Sequence, residues 1–224
     1  MDEAIARLAH LLADPARAAM LRALIDGTTR PAGELAFAAN ISAQSASGHL
    51  AKLVGGGLLA ARPQGRHRYF RIASAEVADV VESLAALGTA LAPRKVPRAK
   101  AAPAAFLRAR TCYDHLAGET AVRLCEAMLA ARWLTRAGRD FRVSALGKTK
   151  LAALGIDLDA LRRTRRVFAR GCTDLTERRP HVGGALGAAL LEVFISRSWI
   201  LRMPGSRAVT ITPKGDQAFA KLCA

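Results

Sequence analysis

Aromatic side chains are scarce in this chain, at 5% of residues with two Trp and two Tyr. With Ala and Leu dominant, that scarcity argues against a large sheet and for helices packed through small side chains. Long apolar runs are missing too. The most apolar stretch, 183–195, is too short to span a bilayer and carries Glu192, so no membrane partner is expected. The opening Met1-Asp2-Glu3 is acidic and lacks the pattern of a secretory leader, which points to a cytoplasmic protein. Cysteine is sparse as well: Cys112, Cys125, Cys172 and Cys223 are scattered, and free thiols are the expectation. Acid is outnumbered, with 18 Asp and Glu against 34 Lys and Arg, a net charge of +16. Such a balance favours a polyanionic partner, most often nucleic acid. Its distribution is uneven. Residues 1–92 hold nine basic and eight acidic residues, and the remaining positions hold 25 and ten.

What is present is clearest in the first ninety residues. Ile5, Leu8, Leu11 and Leu12 fall on one helical stripe. Asp14-Pro15 reads as an N-cap and first helical position, opening a helix with Met20, Leu21, Leu24 and Ile25 that stops at Asp26-Gly27. Pro31 starts a short third helix, with Leu35 and Phe37 expected inward, ending near Asn40. Ser42 caps a fourth that runs to about Val54 and breaks at three glycines. On that helix Ala46, Leu50 and Leu53 share one face, while Gln44, Ser45, Ser47, Gly48, Ala51 and Lys52 share the other without a carboxylate among them. Small, neutral or cationic side chains suit a helix entering the major groove of double-stranded DNA. Two short strands around Pro63-Gln64-Gly65 follow, with Arg62, Arg66 and Arg68 near the tip. A basic hairpin behind a helix-turn-helix reads as a wing for flanking phosphates. Ser42, Gln44, Ser45, Ser47, Lys52, Arg62, Arg66 and Arg68 are the expected DNA contacts.

Ala13-Asp14-Pro15-Ala16-Arg17, Leu24-Ile25-Asp26-Gly27, Ile41-Ser42, Ser47-Gly48-His49-Leu50, Gly57-Leu58-Leu59 and Gly65-Arg66 through Tyr69 resemble the ArsR/SmtB family of winged-helix repressors. The resemblance implies a homodimer joined by the first helix and the helix after the wing, where Val77, Val80, Val81, Leu84 and Leu87 supply an apolar seam. It also implies promoter occupancy relieved by an inducer, often a soft metal ion. The family's sensing residues are absent, however. The third helix has no cysteine, Lys52 and Gly56 stand where the cadmium- and lead-sensing branch has thiols, and the last helix offers Glu76, Asp79 and Glu82 without an imidazole.

The predicted fold class is mainly α with short β-hairpins, a winged helix-turn-helix followed by a duplicated helix–hairpin–helix C-terminal domain. Its expected parts are 1–91, a basic Pro-containing linker over 92–104, and 105–224. An internal repeat (112–155 and 178–222) pairs His115 with His181, Gly118 with Gly184 and Trp133 with Trp199 at an offset of 66. Phe141 to Ser144 and Gly147 pair with Val209 to Thr212 and Gly215 after a two-residue loop difference. A basic helix over 158–177 is expected to join the copies, as a solvated face, an extra DNA contact or an anionic effector pocket. The tryptophans read as core anchors and Cys125, aligned with Leu191, as core. Cys112 and His115, three apart at an expected helix start with a lowered thiol pKa, are candidate metal ligands with Cys172. With Cys172 or His181 brought close, they would make a soft-metal or haem-type site; equally, such cysteines serve as small apolar residues. No cofactor is needed for DNA binding. The function that follows is an effector-responsive repressor; the alternatives are an architectural DNA-binding protein and an enzyme using Cys112 as nucleophile, for which no supporting motif is present.

Overall fold

The computed structural model describes residues 2–64, 67–91, 103–164, 166–203 and 206–223. Arg66 and most of the expected linker, 92–102, lie outside the described residues. Two compact units emerge, Met1–Glu82 and Ser83–Ala224.

In the first unit, α1 (Asp2–Leu12) and α2 (Pro15–Leu24) are joined by a cap, where Asp14 accepts the Arg17 backbone N–H at 2.9 Å. The Arg17 side chain is buried and donates to the carbonyls of Leu11 and His10, both at 2.7 Å, which satisfies orphan acceptors at the end of α1. Then come β1 (Arg30–Pro31), α3 (Ala32–Ala38), α4 (Ala43–Gly55), β2 (Leu59–Gln64), β3 (His67–Ile72) and α5 (Ala75–Leu91). The three strands form an antiparallel sheet in the order β1-β3-β2, with Arg30 opposite Phe70 and Arg62 opposite Tyr69. Met20, Leu24, Leu35, Leu50, Leu53 and Ile72 fill the core. Phe37 corrects one expectation. Leu35 is fully buried but Phe37 is 89% exposed. Two residues apart on a helix point about 200° apart, so α3 could turn only one of them inward.

The unit boundary falls inside α5, short of the expected end at residue 91. The last turns of this helix bond within the second unit, where Arg178 donates to the Ala86 carbonyl.

The second unit runs α6 (Ala104–Arg108), β4 (Arg110–Cys112), β5 (His115–Ala117), α7 (Glu119–Ala130), β6 (Leu134–Ala137), β7 (Asp140–Val143), α8 (Ala145–Ala153) and α9 (Leu158–Arg162). It continues with β8 (Arg170–Thr173), β9 (Pro180–Gly183), α10 (Gly184–Ser196), β10 (Ile200–Arg202), β11 (Val209–Ile211) and α11 (Pro213–Cys223). From β4 to α8 and again from β8 to α11 the order is hairpin, helix, hairpin, helix. Each half thus opens with a strand pair that the sequence reading took for helix. Shared details recur: Trp133 and Trp199 are both buried, and their carbonyls accept from Ser144 and Thr212 at 3.0 Å. Gly147 and Gly215 lie so close to those carbonyls that a Cβ would come within 2.1 Å of either. The halves also exchange hydrogen bonds: Phe141 N–H reaches the Ala169 carbonyl at 2.9 Å and Val209 N–H reaches the Ala109 carbonyl at 3.1 Å.

That exchange explains why no basic helix spans 158–177. Asp157 caps α9, which ends at Arg162. Pairing with the start of β7 then requires extended chain at 169–171, where a Cβ on Gly171 would meet the Arg139 carbonyl at 1.8 Å. Among the described residues no helix is long and apolar enough to cross a membrane.

Candidate functional site

The surface of α4 is built by its cap and its period. Ser42 accepts the Ser45 N–H at 3.2 Å, and Ala46, Leu50 and Leu53 anchor the helix to the core. Gln44, Ser45, Ser47, Gly48, Ala51 and Lys52 are all exposed. The Ser42 hydroxyl is already engaged, as cap and with Ser45 Oγ at 3.1 Å, and Ser47 Oγ donates to the Ala43 carbonyl. Gln44, two positions after the cap, extends from the same face and is exposed. Lys52 sits at the other end, bordering a cleft with α1. Behind the helix, Arg62 and Arg68 are exposed on the wing. Arg68 lies over the Phe70 ring at 5.8 Å and shares a surface cleft with Ser47 and Ala51. His49 faces inward to Asp14 at 3.5 Å.

A second constellation lies wholly inside the C-terminal unit. Cys112 and His115 are directly opposite across β4 and β5, and Cys172 and His181 are opposite across β8 and β9. Strand β5 packs on β9 and brings the pairs together. The four ligand atoms lie within 4.8 Å of one another, all buried. The two sulfurs are 3.8 Å apart and the imidazole centroids 5.1 Å apart. Neither histidine's ring nitrogens have a hydrogen-bond partner. Asp114 stands 3.5 Å from His115 Nδ1 and Asp174 3.7 Å from His181 Nδ1. Each carboxylate is held by an arginine: Asp114 accepts two bonds from Arg166, and Asp174 accepts one from Arg110 at 2.6 Å with the Gly118 N–H at 2.7 Å.

This arrangement overturns the reading of Cys112 as an activated thiol at a helix start. It lies on a strand, and its hydrogen bond to Cys172 and its burial push the pKa well above the ordinary thiol range. The histidines diverge. Burial opposes the charged form of His115, but the neighbouring Cys112 and Asp114 outweigh it and raise the pKa to about 10. Burial and the neighbouring His115 push His181 down to about 3. Two thiols and two imidazoles are a donor set for a borderline or soft divalent ion. The sequence reading named Cys112, His115 and Cys172, and weighed His181 only as an alternative to Cys172. It also placed Cys172 outside the repeat. The missed signal is Cys-x-Asp at 112–114 and again at 172–174, hidden by a longer loop before His181.

A helix-turn-helix domain model matches residues 12–62. The chain is 41% identical over 221 residues to YdfF, an HTH-type transcriptional regulator of Bacillus subtilis (strain 168), covering 99% of this chain and 97% of that protein. It is 37% identical over 83 residues to the HTH-type transcriptional regulator CmtR of Mycobacterium tuberculosis (strain ATCC 25618 / H37Rv), covering 37% of this chain and 70% of CmtR. Among solved structures, the homodimeric winged helix-turn-helix DNA-binding domain (fragment 1–100) of a Mycobacterium bovis protein matches with a TM-score of 0.38 and 27% identity, over 42% of this chain and 87% of that one. Because the likeness to YdfF runs through both units, the whole chain belongs to the HTH-type transcriptional regulators.

Proposed function

We propose that this DNA-binding regulator is a cytoplasmic homodimeric repressor that reads its operator through α4 and leaves it when an inducer acts on the C-terminal unit. The acid-free, exposed face of α4 carries the reading: Gln44 is turned to solvent, and Ser45, Ser47 and Lys52 share its surface. In this account Gln44 meets base edges, while Lys52, Arg62, Arg66 and Arg68 neutralise phosphates. Dimerisation is supported by apolar side chains left outside the fold. Ile5 and Leu8 on α1 and Val80, Leu84 and Leu87 on α5 are all exposed, while Val77 and Val81 are half-buried. A symmetric partner would cover such a seam. Catalysis by Cys112 has no support, since its thiol is buried and its protonated form favoured.

Footprinting over the promoter nearest its gene tests this reading. Protection of one inverted repeat, with random duplex covered only at far higher protein concentrations, is the expected result. Equal coverage of unrelated duplexes would leave an architectural DNA-binding protein in its place.

A further inference from the structure

We infer that Cys112, His115, Cys172 and His181 form a closed, four-coordinate site for a resident zinc-type divalent cation, which joins the two halves of the C-terminal unit.

Each half supplies one thiol and one imidazole from the same place in its opening hairpin, so neither half holds a site alone. A tetrahedral zinc with bonds of about 2.3 Å to sulfur sets its two sulfurs roughly 3.8 Å apart. The Cys112 and Cys172 sulfurs stand at 3.8 Å. The other ligand atoms lie within 4.8 Å, close enough for small side-chain rotations to complete the sphere. His181 is fully buried and His115 is 2% exposed, yet all four of their ring nitrogens lack a hydrogen-bond partner. Buried imidazoles without partners are costly unless something else occupies their lone pairs. The outer shell is also in place. A ligating histidine usually offers its second nitrogen to a carboxylate, and Asp114 and Asp174 stand beside the two Nδ1 atoms. That leaves Nε2 of each ring for the ion. Gly183 makes room there, since a Cβ would come 3.1 Å from His115 Nε2.

Charge selects the class of ion. Two thiolates and two neutral imidazoles balance a divalent cation, and Asp114 and Asp174 are already matched by Arg166 and Arg110. A monovalent soft ion would leave a negative charge in the interior. Mixed nitrogen and sulfur donors favour zinc over the harder divalent ions. Four buried protein ligands leave no open position for substrate, as in structural rather than catalytic zinc sites.

The site lies in the unit that does not carry α4, so metal content and duplex binding can fail independently. Full-length, untagged protein is produced in zinc-containing medium, stripped of loosely held ions with a weak chelator, and assayed by plasma mass spectrometry. One zinc per chain is expected. Exchange into cobalt should give the intense visible bands of a tetrahedral site with thiolate-to-cobalt charge transfer. Cys112→Ser and Cys172→Ser should each lose nearly all the metal. Cys125→Ser, which changes a thiol packed among apolar side chains, should keep it. Folded wild-type protein that binds DNA but holds no zinc and gives no cobalt spectrum would overturn the site. So would a Cys112–Cys172 disulfide in freshly isolated protein, or a Cys125→Ser variant as depleted as Cys112→Ser.

Discussion

The two units handle their polar side chains in opposite ways. In the first, buried charges tie up nearby backbone and neighbours: Arg17 bonds to carbonyls six and seven residues away, and Asp26 to Arg30 four residues on. The outside of α4 carries exposed polar groups, of which Ser42 and Ser47 bond only to their own helix. In the second unit the buried polar groups reach across the chain. Arg110 meets Asp174 at a separation of 64 residues, Gly118 meets Asp174 at 56, and Cys112 meets Cys172 at 60. One unit assembles locally and presents its chemistry on a surface. The other interlocks two halves and places its chemistry where they meet.

The contrast can be tested from its strongest side first. Asp174 is fully buried and holds Arg110 along with the backbone N–H groups of Gly118, Thr176 and Glu177. Asp174→Ala would leave Arg110 uncompensated and should destabilise the C-terminal unit by roughly 3–5 kcal/mol, read by chemical denaturation. Unfolding of the first unit should be unchanged. Next, Leu84→Glu places a charge in the exposed apolar seam of α5. It should forfeit roughly 1.5–3 kcal/mol of burial per copy and shift sedimentation toward monomer at unchanged helix content. Gln44→Ala should cost about 1–3 kcal/mol on the operator and within about 0.5 kcal/mol in stability, since the residue is exposed. The smallest effect belongs to Arg68→Ala, which should weaken all duplexes alike and reduce the salt slope by about one.

These opposite habits also set what could be read from the residues. The α4 face was legible because a helix repeats every few positions, so Ala46, Leu50 and Leu53 announce the inward side on their own. The same period applied to Phe37 shows that it opposes Leu35, a consequence the short α3 pattern obscured. The recurrence of Trp133 at Trp199 was visible at one fixed offset. The first hairpins were not, because His115 follows Cys112 by three residues while a turn built on Asp174 separates Cys172 from His181. No single offset aligns both strands of that pair. β1 escaped notice for a related reason: two residues become a strand only when Phe70 and Tyr69 arrive beside them.

In the proposed function, operator preference resides on the side of α4 that carries Gln44 and Ser47. Fluorescence anisotropy on the footprinted operator and on a random duplex, with wild type and the Gln44→Ala/Ser47→Ala double variant, tests it directly. The double variant should lose most of the preference for operator while keeping its affinity for random DNA. An unchanged preference would mean that another surface reads the sequence.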